Sequence, residues 1–202
     1  MKHSLHTVLT LLFVCASAWG ENVPWQNPQI NEINREPAHA HFIPYTNEAN
    51  ALKQQALPAA QRFAVNPATE RRISLDGTWK FLFSKNNEEC PTDFYKMGYN
   101  TKRWKDIQVP GSWELQGFDS PIYTDVAYPF PANPPHVPTD YNPVGAYVRE
   151  FTVPAHWKGM DIFLDFEGVE SAFYCWVNGE LAGYSEDLSL IHISEPTRLA
   201  LI

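Results

Sequence analysis

The chain has 202 residues, 44% of them hydrophobic, with 15 Lys plus Arg against 23 Asp plus Glu and a formal net charge of −8. This balance weighs against a nucleic-acid binder, which needs clustered Lys and Arg. The hydrophobic content is enough for one domain with a buried core.

Residues 1–20 carry the pattern of a secretory signal. Lys2 and His3 give a cationic start, Leu5 to Ala16 is mostly apolar, and Ala16-Ser17-Ala18 is a small-x-small cleavage pattern. The apolar run is too short for an ordinary transmembrane helix. The bulky Val14 ahead of Cys15 suits a lipoprotein anchor poorly. The expectation is a periplasmic or secreted protein without a membrane span after cleavage. Cys90 and Cys175 then remain. An oxidising compartment permits a disulfide, but two separate buried thiols are expected.

Residues 21–70 read as an arm. Proline punctuates it, and Trp25, Phe42 and Tyr45 favour packing over a free linker. His39 and His41 lack the further ligands a metal site needs. Glu48 to Gln61 suits a short helical turn or a loop, interrupted by Pro58. In Arg72 to Phe83 the Asp76-Gly77 turn precedes Trp79, Phe81 and Phe83, alternating with Lys80 and Leu82, which predicts a strand. Ile107 and Val109 begin another.

Pro110 to Pro143 holds eight of the 17 prolines, interleaved with Trp113, Phe118, Tyr123, Tyr128, Phe130 and Tyr141. Proline fixes φ and removes a donor, so this is neither helix nor central strand. The reading is a long functional loop, stiffened by proline and pinned by aromatic side chains. Strands are predicted again over Tyr147 to Val153 and over Asp161 to Glu167, where Ile162, Leu164 and Phe166 share a face. Ala172 to Val177 and Leu181 to Tyr184 flank Asn178-Gly179, a type I′ hairpin signal. Short alternating strands with frequent turns predict an all-β antiparallel sandwich.

Three groups of motifs lead further. The run Val109-Pro110-Gly111-Ser112-Trp113-Glu114-Leu115-Gln116-Gly117-Phe118-Asp119-Ser120-Pro121-Ile122-Tyr123-Thr124-Asp125-Val126-Ala127-Tyr128-Pro129-Phe130 continues into Asn133-Pro134-Pro135-His136-Val137-Pro138-Thr139 and Asn142-Pro143-Val144-Gly145. Trp25-Gln26-Asn27-Pro28 with Asn34-Arg35-Glu36-Pro37-Ala38-His39 precedes it, and Ser171-Ala172-Phe173 with Trp176-Val177-Asn178-Gly179 follows. Together they resemble the N-terminal sugar-binding domain of glycoside hydrolase family 2, in its large bacterial β-galactosidase branch. The resemblance covers about Trp25 to Asp187. It implies a jelly-roll β-sandwich of the galactose-binding type over residues 71–187. It also implies a β-galactoside substrate, homo-oligomerisation of the full-length enzyme through the arm, and magnesium and sodium for the parent enzyme only.

Retaining glycoside hydrolysis needs two carboxyl groups about 5 Å apart. Asp161, Asp165, Glu167, Glu170, Glu186 and Asp187 cluster in the sequence, but strand alternation puts Asp161, Asp165 and Glu167 on a solvent face. The resemblance places the two catalytic glutamates on a barrel far downstream. No catalytic residue, metal ligand or cofactor site is therefore expected in this chain. The resemblance carries one substrate-binding position across, Asp125, where the family has an asparagine that hydrogen-bonds galactose. Aspartate offers an acceptor without amide donors, which sugar hydroxyls can still meet. The alternatives are a free-standing carbohydrate-binding module, a subunit-interaction module, or another family 2 glycosidase; the Trp25–His39 and Pro129–Gly145 motifs disfavour the last.

From Leu188 the pattern breaks. Leu188-Ser189-Leu190-Ile191-His192-Ile193-Ser194-Glu195-Pro196-Thr197-Arg198 resembles an in-frame translation of a transposon-type sequencing-library adapter. Residues 188–202 are expected to be a non-native tail, leaving the sandwich incomplete at its C-terminal end, with an unpaired edge.

Overall fold

The computed structural model describes residues 23–37, 42–58, 69–121, 130–133, 136–186 and 197–201. The signal-like residues 1–20, Asp125 and most of the tail lie outside them. The described residues form an all-β antiparallel sandwich with one α-helix. Its strands are β1 (Glu32–Ile33), β2 (Gly77–Ser84), β3 (Lys105–Val109), β4 (Val144–Val148), β5 (Ile162–Phe166), β6 (Ala172–Val177), β7 (Glu180–Glu186) and β8 (Thr197–Leu201). They pair in the orders β3-β2-β4, β1-β7-β6 and β5-β8.

Helix α1 (Glu48–Gln55) starts where Asn47 accepts a hydrogen bond from the Asn50 N–H at 3.0 Å. That is the usual role of an N-cap side chain, satisfying a donor the first turn leaves free. The arm touches the domain through β1. Glu32 lies opposite Ser185 and Ile33 opposite Tyr184, and the Asn34 amide donates to the Ala182 carbonyl at 2.6 Å. Arg35 reaches Glu32 at 2.9 Å and donates to Ser185 Oγ at 3.2 Å.

β2 is the centre of its sheet. Lys80 faces Asp106 across the β2–β3 pair, and their side chains meet at 2.6 Å. On the opposite face Phe81 and Ile107 are fully buried. The other cluster gathers Cys90, Trp104 and Ala146 with Leu82, Phe94, Tyr99, Val144 and Val148. Phe94 carries it across to the second sheet, its ring 5.7 Å from that of Trp176 on β6. Tyr95 stacks on Trp176 at 4.8 Å with an interplanar angle of 11°. Offset stacking of this kind is favourable beyond the area it buries.

The β6–β7 hairpin forms as its turn residues require. Asn178 has φ 53° and Gly179 φ 92°, the left-handed pair of a type I′ turn. One strand differs from its prediction. β4 runs from Val144 to Val148, not over Tyr147 to Val153. The ladder to β2 reaches Lys80 opposite Val148. Beyond it the Arg149 guanidinium donates to the Thr78 carbonyl, so a side chain, not further strand, closes this end. Phe151 and Val153 are left exposed. Cys90 and Cys175 are free thiols. Burial raises both pKa values, that of Cys175 to about 11, which keeps them protonated and unreactive.

Candidate functional site

The long loop after β3 is built on the β2 sheet by aromatic packing. Phe118 meets Phe81 edge-on at 4.6 Å, and Trp113 lies 5.9 Å from both Phe81 and Phe83. Tyr147 closes the cluster from β4, 4.7 Å from Phe81. Burial, aided by the negative charge of Glu114, pushes the Tyr147 phenol up to about 12. Trp113 can lie this low because position 145 has no side chain. A Cβ there would sit 2.5 Å from Trp113 Cζ3 and 2.7 Å from Phe81 Cε2.

Polar contacts hold the loop's two legs. The Gln116 side chain accepts from the Gln108 N–H at 2.8 Å and donates to the Gln108 carbonyl at 3.0 Å. One side-chain amide thus substitutes for a neighbouring strand on the edge of β3. A single 3-10 turn, Glu114–Gln116, ending at Gly117 with φ 83°, aims that amide back. The Tyr141 hydroxyl donates to Asp119 Oδ1 at 2.6 Å, joining the outgoing leg to the returning one. This carboxylate raises the Tyr141 pKa, chiefly through that hydrogen bond. The Asn142 N–H donates to the Lys85 carbonyl at 2.9 Å, tying the returning leg to the turn after β2. Among the described residues of 110–143 there is neither α-helix nor strand, as the prolines predict. Asp125 belongs to the stretch between the legs, at 122–129, outside the described residues.

The clustered carboxylates are surface groups. Asp161, Asp165, Glu167 and Glu170 are exposed. Glu167 pairs with Arg72 at 3.1 Å, and Glu186 accepts from the Tyr184 hydroxyl. Among the described residues no three His, Cys, Asp or Glu side chains gather as a metal site would require. The magnesium and sodium implied for the parent enzyme find no fitting donor set among those residues.

Gln116, Gly145 and the Asp119–Tyr141 bond escaped the sequence reading. Their residues stand in the motifs quoted above, but nothing in the spacing says that Gln116 turns back on Gln108 or that Tyr141 meets Asp119. A shallow groove beside α1 is lined by Tyr45, Asn50, Lys53, Gln54, Leu57, Thr69 and Glu70. Asn50 donates to Glu70 at 2.6 Å there, so its polar groups partly satisfy one another.

An all-β domain with a proline-braced aromatic loop over one sheet is the class of structure these contacts define. Residues 73–192 match the family model described as glycosyl hydrolases family 2, sugar binding domain, and the chain belongs to that family. It is 42% identical over 165 residues to a β-galactosidase of Priestia megaterium, a match that covers 80% of this chain and 15% of that protein. It is 39% identical over 171 residues to a β-galactosidase of Halalkalibacterium halodurans, covering 82% and 16%. A β-galactosidase of Leuconostoc mesenteroides is 41% identical over 169 residues, covering 82% and 15%. The chain thus spans about a sixth of the length of these curated relatives.

Proposed function

We propose that these residues are the amino-terminal, non-catalytic part of a secreted or periplasmic β-galactosidase. The parent releases terminal β-linked galactose by the retaining route. Its two reacting carboxyl groups, about 5 Å apart, lie on polypeptide outside these residues. The domain is a jelly roll of the galactose-binding type, and its long loop lends Asp125 to a sugar hydroxyl as an acceptor. The arm takes part in subunit contacts of a homo-oligomer. The observation that carries the reading is the similarity to relatives named β-galactosidase over some four-fifths of this chain. The engaged or exposed state of the clustered carboxylates supports it.

Three measurements test the reading. The 202-residue chain is assayed with an aryl β-galactoside; no turnover is expected, and genuine turnover refutes the division of labour. The gene downstream of the Asp187 codon is sequenced from a second library type; a barrel with two suitably placed glutamates is expected. In the intact enzyme Asp125→Ala weakens inhibition by galactose, whereas unchanged inhibition removes the sugar contact.

A further inference from the structure

We propose that Tyr141 and Asp119 are positioning residues: their hydrogen bond ties the outgoing leg of the long loop to the returning one and so sets how tightly the intact enzyme holds galactose. The inference rests on the reading above, that this loop contacts the sugar. Both residues act through the chain between them, in which Asp125 stands.

The two legs are tied to the sheet separately. On the outgoing side Phe118 packs on Phe81, and the Gln116 side chain bonds to Gln108. On the returning side the Asn142 N–H donates to the Lys85 carbonyl. The Tyr141–Asp119 bond differs from these, since it runs from leg to leg. Asp119 Oδ1 accepts from the Tyr141 hydroxyl at 2.6 Å and from the Ser120 N–H at 2.8 Å, so two donors orient one carboxylate oxygen. That carboxylate holds the phenol pKa above its ordinary value, and the hydroxyl keeps its proton throughout the neutral range. Tyr141 is 40% exposed, so burial of its ring does not account for its place. A hydrogen bond to an ionised acceptor is stronger than one between neutral groups. Fixing the base of a loop removes freedom that binding would otherwise have to remove. Such preorganisation serves ground state and transition state alike, so it shows in KM and not in kcat.

The test is made in the intact enzyme, with an aryl β-galactoside as substrate and galactose as inhibitor. Tyr141→Phe removes the hydroxyl and keeps the ring. KM and the inhibition constant of galactose should both rise about three- to tenfold, the net worth of one hydrogen bond, and the loss of kcat/KM should lie in KM. Asp119→Ala should do the same. The Asp119→Ala/Tyr141→Phe double variant should lose no more than either, because the pair shares one bond. Asp119→Asn, which keeps an acceptor oxygen, should recover most of the loss. Unchanged galactose inhibition in Tyr141→Phe overturns the proposal, as does a double variant whose losses multiply or a loss confined to kcat. Asp125→Ala, measured beside them, separates this inference from the reading it rests on. Weaker inhibition there with none lost in Tyr141→Phe keeps the sugar contact and removes the tie; the reverse keeps the tie and removes Asp125 as the contact. Should Tyr141→Phe fail to fold, Asp119→Asn against Asp119→Ala decides: recovery by Asn supports the tie, and equal loss in the two overturns it.

Discussion

Gly145→Ala isolates the close approach on which the long loop rests. The glycine φ is not in the left-handed region, so an alanine there incurs no backbone strain and the effect is purely steric. The new methyl would lie 2.5 Å from Trp113 Cζ3 and 2.7 Å from Phe81 Cε2. Carbon atoms pack at about 3.5–4.0 Å, so the strand or both rings must give by roughly 1 Å. Phe81 is fully buried and hemmed by Phe118 and Tyr147, so it has nowhere to go. Trp113 gives more readily, because its buried indole N–H has no hydrogen-bond partner among the described residues, while the contact with Phe81 stays strained. Overpacking of this kind costs about 1–3 kcal/mol, and a domain of this size loses roughly 2–4 °C of Tm per kcal/mol. Urea titration of the 202-residue chain, followed by circular dichroism, measures the loss. In a Trp113→Leu background the cost should shrink, since the two sites are in contact and couple. A change below about 0.5 kcal/mol, the range of an ordinary surface substitution, or the same cost in both backgrounds, would refute the account.

Gln116→Ala should lower stability by about 1 kcal/mol, since the two hydrogen bonds lost to Gln108 lie on an exposed edge where water replaces them; accelerated exchange of the Gln108 amide locates the loss. Gly179→Ala should cost about 1 kcal/mol from its left-handed φ alone, because a Cβ there meets Lys96 Cα only at 3.9 Å; a thermal melt unchanged from the parent chain contradicts the type I′ turn. The Tyr147 pKa is raised from 10.0 to about 12, so folding favours the neutral phenol. Its contribution is complete below pH 10 and is lost as pH rises towards about 12. Tyr147→Phe should flatten that part of the alkaline fall in the urea midpoint, and an unaltered pH profile argues against the shift.

What the sequence determined by itself is local. Asn178-Gly179 specifies its hairpin because both residues accept positive φ without a partner elsewhere in the chain. The alternation from Trp79 to Phe83 specifies a strand with two faces, and the prolines of 110–143 exclude helix and central strand whatever surrounds them. The motifs of that loop were enough to point to the family. Tertiary structure decided what depends on two distant pieces meeting in register. β4 ends at Val148 because β2 and the Arg149 side chain set the end of the ladder, which residue alternation continued to Val153 cannot show. Gln116 serves as a strand surrogate only once β3 presents Gln108 to it, and Gly145 matters only once Trp113 is folded over β4. Tyr141 finds Asp119 across the loop, and β1 of the arm finds β7 near the other end of the domain. Such contacts join residues far apart in the chain, and local periodicity carries no information about which of them will face each other.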